Sequence, residues 1–203
     1  WLLESAGLNP SFLVGGIVEN FGASFRLTDS PYFVIEADEY DTAYFDKGPK
    51  MWHYRPRTAV VTNVEFDHAD IYRDMEHYES AFVRFGETLP SDGVLCVSAS
   101  YPRAVAIANA STKAKVVTYA VNGKADFRAD GERFSPEGAH FTIRGLKYKE
   151  TDVLLPMSGY HNIENATGVF AAARALGLSR ETIAKAFRTF TGVKRRQEPR
   201  GEI

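Results

Sequence analysis

Two clusters of oxygen and nitrogen donors stand at the ends of short apolar runs. Glu36, Asp38, Glu39 and Asp41 follow Phe33-Val34-Ile35, and Asn63, Glu65, Asp67, His68 and Asp70 follow Val60-Val61. Carboxylates, an amide and one imidazole in that proportion suit a hard divalent cation such as Mg²⁺ or Mn²⁺. The carboxylates between 36 and 41 repel one another by up to about a few kcal/mol when partly desolvated, so a cation or a Lys/Arg partner is expected beside them. Strand alternation places Glu36 and Asp38 on one face and Glu39 on the other. Asp67 beside His68 is placed to fix the imidazole tautomer, leaving the other ring nitrogen for a metal. Glu36 and His68 are therefore the candidate ligands, supported by Asp38, Asn63 and Asp67. A lone strand-end Glu or a single His is more often a surface or core residue; the crowding favours the metal reading. His53 and His77, among bulky neighbours, read as structural.

Apolar runs that stop abruptly at polar side chains read as strands buried in a parallel sheet, and ligands collect beyond the carboxyl ends of such strands. The two runs are expected to be neighbours. A helical patch over 42–46, a strand over 58–62, a helix over 75–89, a strand over 93–97, a helix over 103–109 and a strand over 115–119 make an alternating β/α pattern. From 125 to 155 the period changes to two, with Gly131, Gly138 and Gly145 marking turns of an antiparallel meander. Helices over 162–176 and 180–190 follow, the second with Ser179 as N-cap, and form a second layer with the meander. The fold class is α/β: a mostly parallel sheet flanked by helices with a small antiparallel β subsheet. Its parts run over 1–122 (parallel α/β), 123–157 (meander), 158–192 (helical pair) and 193–203 (start of a linker).

Two other stretches bear on ligands. Gly15-Gly16 reads as a turn between extended pieces, since neither GxxxxGK[ST] nor GxGxxG occurs. Asn162 and Asn165, three apart at the start of a helix, either cap it or read the donor and acceptor edge of a base. Arg196, in Lys194-Arg195-Arg196, belongs to a solvated face or reaches a phosphate or ribose.

The bulk numbers exclude some classes. With 203 residues and 44% apolar content the chain can bury an ordinary core. Near balance between 24 basic and 26 acidic residues gives no reason to expect nucleic acid or an anionic membrane as partner. The single cysteine, Cys96, lies in an apolar run and fits a reducing, cytoplasmic setting. No stretch approaches the length of a membrane span.

Taken together, Glu36-Ala37-Asp38-Glu39, the run Thr62-Asn63-Val64-Glu65-Phe66-Asp67-His68-Ala69-Asp70, Gly159-Tyr160-His161-Asn162-Ile163-Glu164-Asn165-Ala166 and Gly192-Val193-Lys194-Arg195-Arg196-Gln197-Glu198 resemble, in order and spacing, the central ATPase domain of the Mur ligases. The resemblance runs from residue 1 to about 200 and implies a P-loop NTPase-like fold. It also implies ATP-dependent amide-bond formation through an acyl phosphate, with Mg²⁺ or Mn²⁺ as cofactor. Carried over position by position, it makes Glu36 and His68 metal ligands, gives Asn162 and Asn165 the contacts to adenine, and directs Arg196 to the nucleotide. Several family members carry a carbamylated lysine after the His motif; Phe82 or Val83 stands nearest here, so that role is not expected.

Segments 39–47 and 53–58 resemble the branch whose substrates are UDP-N-acetylmuramate and the murein tripeptide L-alanyl-γ-D-glutamyl-meso-diaminopimelate. The alanine-adding branch is the alternative, but has Ser where Tyr40 stands and a shorter connection to the next strand. Folylpolyglutamate synthase shares the overall plan and is disfavoured by the wording around Glu36 and Asp67-His68. A non-catalytic metal- or nucleotide-binding remnant is a further alternative. The family's phosphate-binding loop is expected before Trp1 and its C-terminal domain after Ile203, so the chain reads as a fragment unable by itself to use ATP at a useful rate. Oligomeric state is not legible.

Overall fold

In the computed structural model, residues 1–145 and 148–196 are described. A six-stranded sheet forms the body, built from β6 (Thr58–Val61), β7 (Val94–Ser98), β8 (Lys115–Val121), β9 (Phe127–Ser135), β10 (Gly138–Gly145) and β11 (Tyr148–Leu155). Its spatial order is β11-β10-β9-β8-β7-β6. The pairs from β6 to β9 are parallel, and β9-β10-β11 is an antiparallel meander. The α/β class with a mostly parallel sheet is as expected, but the meander extends that sheet instead of forming a second layer. The reason is direct: β8 and β9 pair in parallel through Tyr119 and Phe127, with Asp126 in the connection accepting from the Thr118 backbone N–H (2.8 Å) and hydroxyl (2.9 Å).

Helices cover both faces. On β7, Leu95 and Val97 join an apolar cluster with residues of α3 (Met75–Glu87) and α4 (Pro102–Ser111), whereas Cys96 joins the cluster formed with α5 (Tyr160–Ala175) and α6 (Arg180–Arg188). That is the two-residue alternation of a strand buried on both sides. Asp74 caps α3 by accepting from the His77 N–H (2.8 Å), and Ser179 caps α6 by accepting from the Thr182 N–H (3.1 Å). Each supplies one of the acceptors a helix start lacks. Helix α1 (Leu2–Ser5) closes at Gly7, whose φ of +75° favours glycine, and the Trp1 indole N–H donates to the Ala186 carbonyl (3.0 Å).

Four expectations are corrected. The strand after Tyr32, β3 (Phe33–Ile35), is not a neighbour of β6. It pairs in parallel with β1 (Ser11–Val18), which also carries β2 (Ala23–Arg26), in a separate sheet of order β2-β1-β3. Gly15 and Gly16 lie inside β1, not in a turn; a Cβ at Gly15 would sit 3.1 Å from the Glu36 carboxylate, and one at Gly16 2.5 Å from Val193. At Gly16 the absence of a Cβ leaves room for Val193.

Residues 42–46 are not helical: β4 (Asp41–Ala43) and β5 (Asp46–Pro49) form a hairpin held by Lys47–Asp41 (2.8 Å) and by the Thr42 hydroxyl donating to the Gly48 carbonyl (2.8 Å). One helical turn would have nucleated at a cost that these cross-strand contacts avoid. Helix α2 (Met51–Tyr54) then packs Trp52 onto Gly48. Gly131 is a left-handed residue inside β9 (φ +68°), where the pairing with β10 slips and two residues face one, as in a β-bulge.

Candidate active site

The loop after β6 is shaped by His68, whose φ of +57° is unusual for a residue with a side chain. Asp67 Oδ1 accepts from the His68 backbone N–H (2.7 Å), and the His68 carbonyl accepts from the N–H groups of Ile71 (2.9 Å) and Tyr72 (3.0 Å). The imidazole is turned toward the other donor cluster. Its Nε2 lies 3.0 Å from Glu39 Oε1, and the Tyr40 ring packs on it with centroids 4.1 Å apart. Asp67, expected to fix the tautomer, has its Oδ2 at 3.9 Å, because its other oxygen is held by the local turn. The carboxylate nearer the ring is that of Glu39.

Glu39 is itself fixed from α3 and the loop before it. The Tyr78 hydroxyl donates to Glu39 Oε1 (3.1 Å) and the Tyr72 hydroxyl to the Glu39 carbonyl (2.7 Å). Burial first, and the Glu39 charge second, push the Tyr72 phenol up to about 12 and the Tyr78 phenol up as well, so both act as donors across the physiological range. β3 ends at Ile35 and the chain bends; Glu39 has different partners from Glu36 and Asp38, and it is Glu39 that reaches His68. Asp38 instead pairs with Lys50 (3.2 Å), the basic partner anticipated for the carboxylate run. Glu36 accepts from the Gly15 N–H (2.6 Å). It shares no described contact with His68.

Whether a hard cation fits can be read from the donor atoms. Glu36 keeps Oε1 and His68 keeps Nδ1 outside the described hydrogen bonds, and Asp41 Oδ1 is buried without a partner among the described residues. Among the described residues no three His, Cys, Asp or Glu side chains gather tightly enough to hold an ion alone. Mg²⁺ does not require that, since it keeps several waters and takes one or two carboxylates plus substrate phosphates. The donor set fits.

Beyond the carboxyl ends of β6 and β7 lies a pocket of about 190 Å³ lined by Thr62, Asn63, Tyr101, His161, Glu164 and Asn165. Asn63, expected to support a metal, sits here, with its amide donating to Glu65 (3.1 Å). Asn165 lines the pocket, whereas the Asn162 amide donates to the Ser158 carbonyl (2.7 Å), one turn back. Neither caps α5: its N-cap is Gly159, with φ +101° and no side-chain acceptor. Glu164 accepts from the buried Ser98 hydroxyl at the end of β7. Arg196 is exposed; its backbone N–H donates to the Val193 carbonyl, in a segment tied to β1 through Lys194 N–H to Ile17 O (2.9 Å). The described contacts do not bring it to Asn162 or Asn165.

Sequence reasoning placed Glu39 in the carboxylate run without pairing it with His68, and gave no part to Tyr72, Tyr78 or the Glu164 side chain. Tyr72 and Tyr78 carried no motif, though two tyrosines flanking the helix start after the His loop are suited to donate to a half-buried carboxylate.

Comparison with known proteins gives this arrangement a family. Residues 19–173 match the family model described as "Mur ligase middle domain". The chain belongs to the Mur ligase family. This Mur ligase chain is 42% identical over 206 residues to the UDP-N-acetylmuramate–L-alanyl-γ-D-glutamyl-meso-2,6-diaminoheptandioate ligase of Haemophilus influenzae, covering 100% of the chain and 44% of that protein. It is 36% identical over 200 residues to the UDP-N-acetylmuramate–L-alanine ligase of Phenylobacterium zucineum, covering 96% and 40%. A crystal structure of the UDP-N-acetylmuramate:L-alanyl-γ-D-glutamyl-meso-diaminopimelate ligase from Neisseria meningitides superposes with a TM-score of 0.86 at 38% identity, over 96% of this chain and 61% of that one. The Mur ligase chain thus spans less than half the length of these curated relatives. Among its described residues no helix is long and apolar enough to cross a membrane.

Proposed function

We propose that this middle domain serves a ligase joining L-alanyl-γ-D-glutamyl-meso-diaminopimelate to UDP-N-acetylmuramate at the expense of ATP. The observation that carries the reading is the collection, at the carboxyl ends of β6 and β7, of the His68 loop and the pocket of Asn63 and Asn165, in a chain 42% identical to a tripeptide ligase. In an open α/β sheet this is the edge where ligands bind.

The lactyl carboxylate oxygen attacks the γ-phosphorus of ATP, the bond to the β–γ bridging oxygen breaks, and ADP leaves. The tripeptide amine then attacks the acyl carbon of the mixed anhydride, phosphate departs with the C–O bond pair, and the nitrogen gives its proton to water. Glu36 Oε1 and His68 Nδ1 would hold a divalent cation, which when bound supplies neutralisation of the phosphate charge. Asn165 reads the base within the pocket, and Asn162, released from Ser158, adds a second amide. Arg196 would reach the nucleotide by movement of the segment after Val193. The alanine-adding reading rests on the 36% identity to that ligase, and it is the weaker of the two.

The test is ligation by the whole protein with UDP-N-acetylmuramate, ATP and Mg²⁺, offering tripeptide and free L-alanine separately. Amide product from the tripeptide is expected. Product from L-alanine alone overturns the assignment to this branch.

A further inference from the structure

Glu164, on the second turn of α5, lines the pocket of about 190 Å³ together with Asn63, Tyr101 and Asn165. It is half-buried, and its Oε1 accepts from the hydroxyl of Ser98, a fully buried residue at the end of β7. The Ser98 oxygen in turn accepts from the Ser100 backbone N–H (3.2 Å), which leaves its own proton for the carboxylate. The carboxylate is thus fixed between helix and strand, with Oε2 outside the described hydrogen bonds. Its described contacts include no Lys or Arg. A carboxylate without a cation attracts donors and repels phosphate, so this pocket suits the neutral nucleoside end of a nucleotide and not its phosphate chain. Burial first, then the charges of Glu65 and Glu164, hold the Tyr101 phenol above its ordinary value, so a neutral ring lines the same pocket.

Asn165 alone does not decide which purine is taken. Its amide carries both a donor and an acceptor and can turn over, so it pairs with N6 and N7 of adenine or, flipped, donates to the 6-oxo group or N7 of hypoxanthine or guanine. An ionised carboxylate has no donor to offer. Once an amide has taken one hydrogen of the 6-amino group, the second is left for another acceptor; a 6-oxopurine presents oxygen lone pairs there instead. We propose that Glu164 is the specificity-determining residue of the pocket, an assignment that rests on the reading of this pocket as the base site. Its Oε2 accepts from the 6-amino group of adenine and turns away 6-oxopurines, and Ser98 is the residue that positions it.

The test is calorimetric titration of the whole protein with ATP, ITP and 2′-deoxy-ATP in the presence of Mg²⁺ and the absence of the other substrates. The wild type is expected to bind ATP at least about thirtyfold more tightly than ITP, the loss that goes with an unmade hydrogen bond to a charged group. Glu164→Gln keeps an acceptor for Ser98 and puts an amide N–H₂ in place of Oε2. It should lower the ATP-to-ITP ratio at least about tenfold, with ATP weakened and ITP tightened. Ser98→Ala, which frees the carboxylate to turn, should give an intermediate ratio. Equal affinity of the wild type for ATP and ITP, or the same ratio in Glu164→Gln and the wild type, overturns the proposal and leaves the pocket as the base site; the wild-type ratio decides even if a variant does not fold. A Glu164→Gln effect confined to the ratio of ATP to 2′-deoxy-ATP assigns the carboxylate to the ribose and overturns the proposal too. Failure of both ATP and ITP to bind refutes the base-site reading, and the proposal falls with it.

Discussion

Gly168→Ala is a substitution whose sign follows from the structure and opposes simple helix propensity. Gly168 lies in the middle of α5, where alanine would ordinarily stabilise by about 1 kcal/mol. Its Cβ, however, would stand 2.6 Å from Tyr119 Cζ and 2.9 and 3.0 Å from the Cε atoms, well inside the roughly 3.5–4.0 Å at which carbon atoms pack. The ring cannot slide away freely: Tyr119 is fully buried, and its hydroxyl donates to the Val61 carbonyl at the end of β6 (3.1 Å). Overpacking of this kind costs about 2–3 kcal/mol, leaving a net loss of about 1–2 kcal/mol after the propensity gain. For a chain of this size that lowers the Tm by about 2–8 °C. Calorimetric and urea unfolding of both proteins would measure it, with an unchanged urea slope confirming the same unfolding reaction. A variant melting at or above the wild type would refute the claimed contact between α5 and the strand that anchors Val61.

Further outcomes follow from single contacts. Burial pushes the Cys96 thiol up to about 12, so Ellman's reagent at mildly alkaline pH should leave it unmodified in the native protein and react once guanidinium unfolds it. The Arg26 guanidinium hydrogen-bonded to Glu4 holds that carboxyl below its ordinary value of 4.5. Its contribution is therefore present above about pH 4.5 and is lost as the pH falls through the lower folded-state value, and Glu4→Gln should flatten the fall in Tm over that acid range. Ser179→Ala removes the acceptor for the Thr182 N–H and should cost about 1 kcal/mol, read as a Tm lower by about 2–4 °C.

Much of the architecture was legible because period and length speak for themselves in buried parallel strands. The runs at Val94–Ser98 and Lys115–Val121 and the helix Met75–Glu87 lie close to where their apolar spacing put them. Pairing was less legible, since nothing in Phe33-Val34-Ile35 reveals that it joins β1 in a separate sheet; that depends on contacts across the chain. The hairpin at Asp41–Pro49 was masked by residues of no strong propensity, and Gly131 by the double meaning of glycine as turn and bulge. Within the site, spacing identified the donor loops but not who meets whom. The bend after Ile35 brings Glu39, not Glu36 or Asp38, to His68, and the Asp67 side chain is taken up by its own loop.

The central claim is that Glu36 and His68 hold a cation next to a nucleotide seated in the pocket of Asn63 and Asn165. An electron-spin titration of Mn²⁺ into the whole protein, with a non-hydrolysable ATP analogue present, tests it most directly in the wild type, Glu36→Ala and His68→Ala. The account predicts nucleotide-dependent Mn²⁺ binding that weakens at least about tenfold in each variant. Equal Mn²⁺ affinity in all three folded proteins would contradict it.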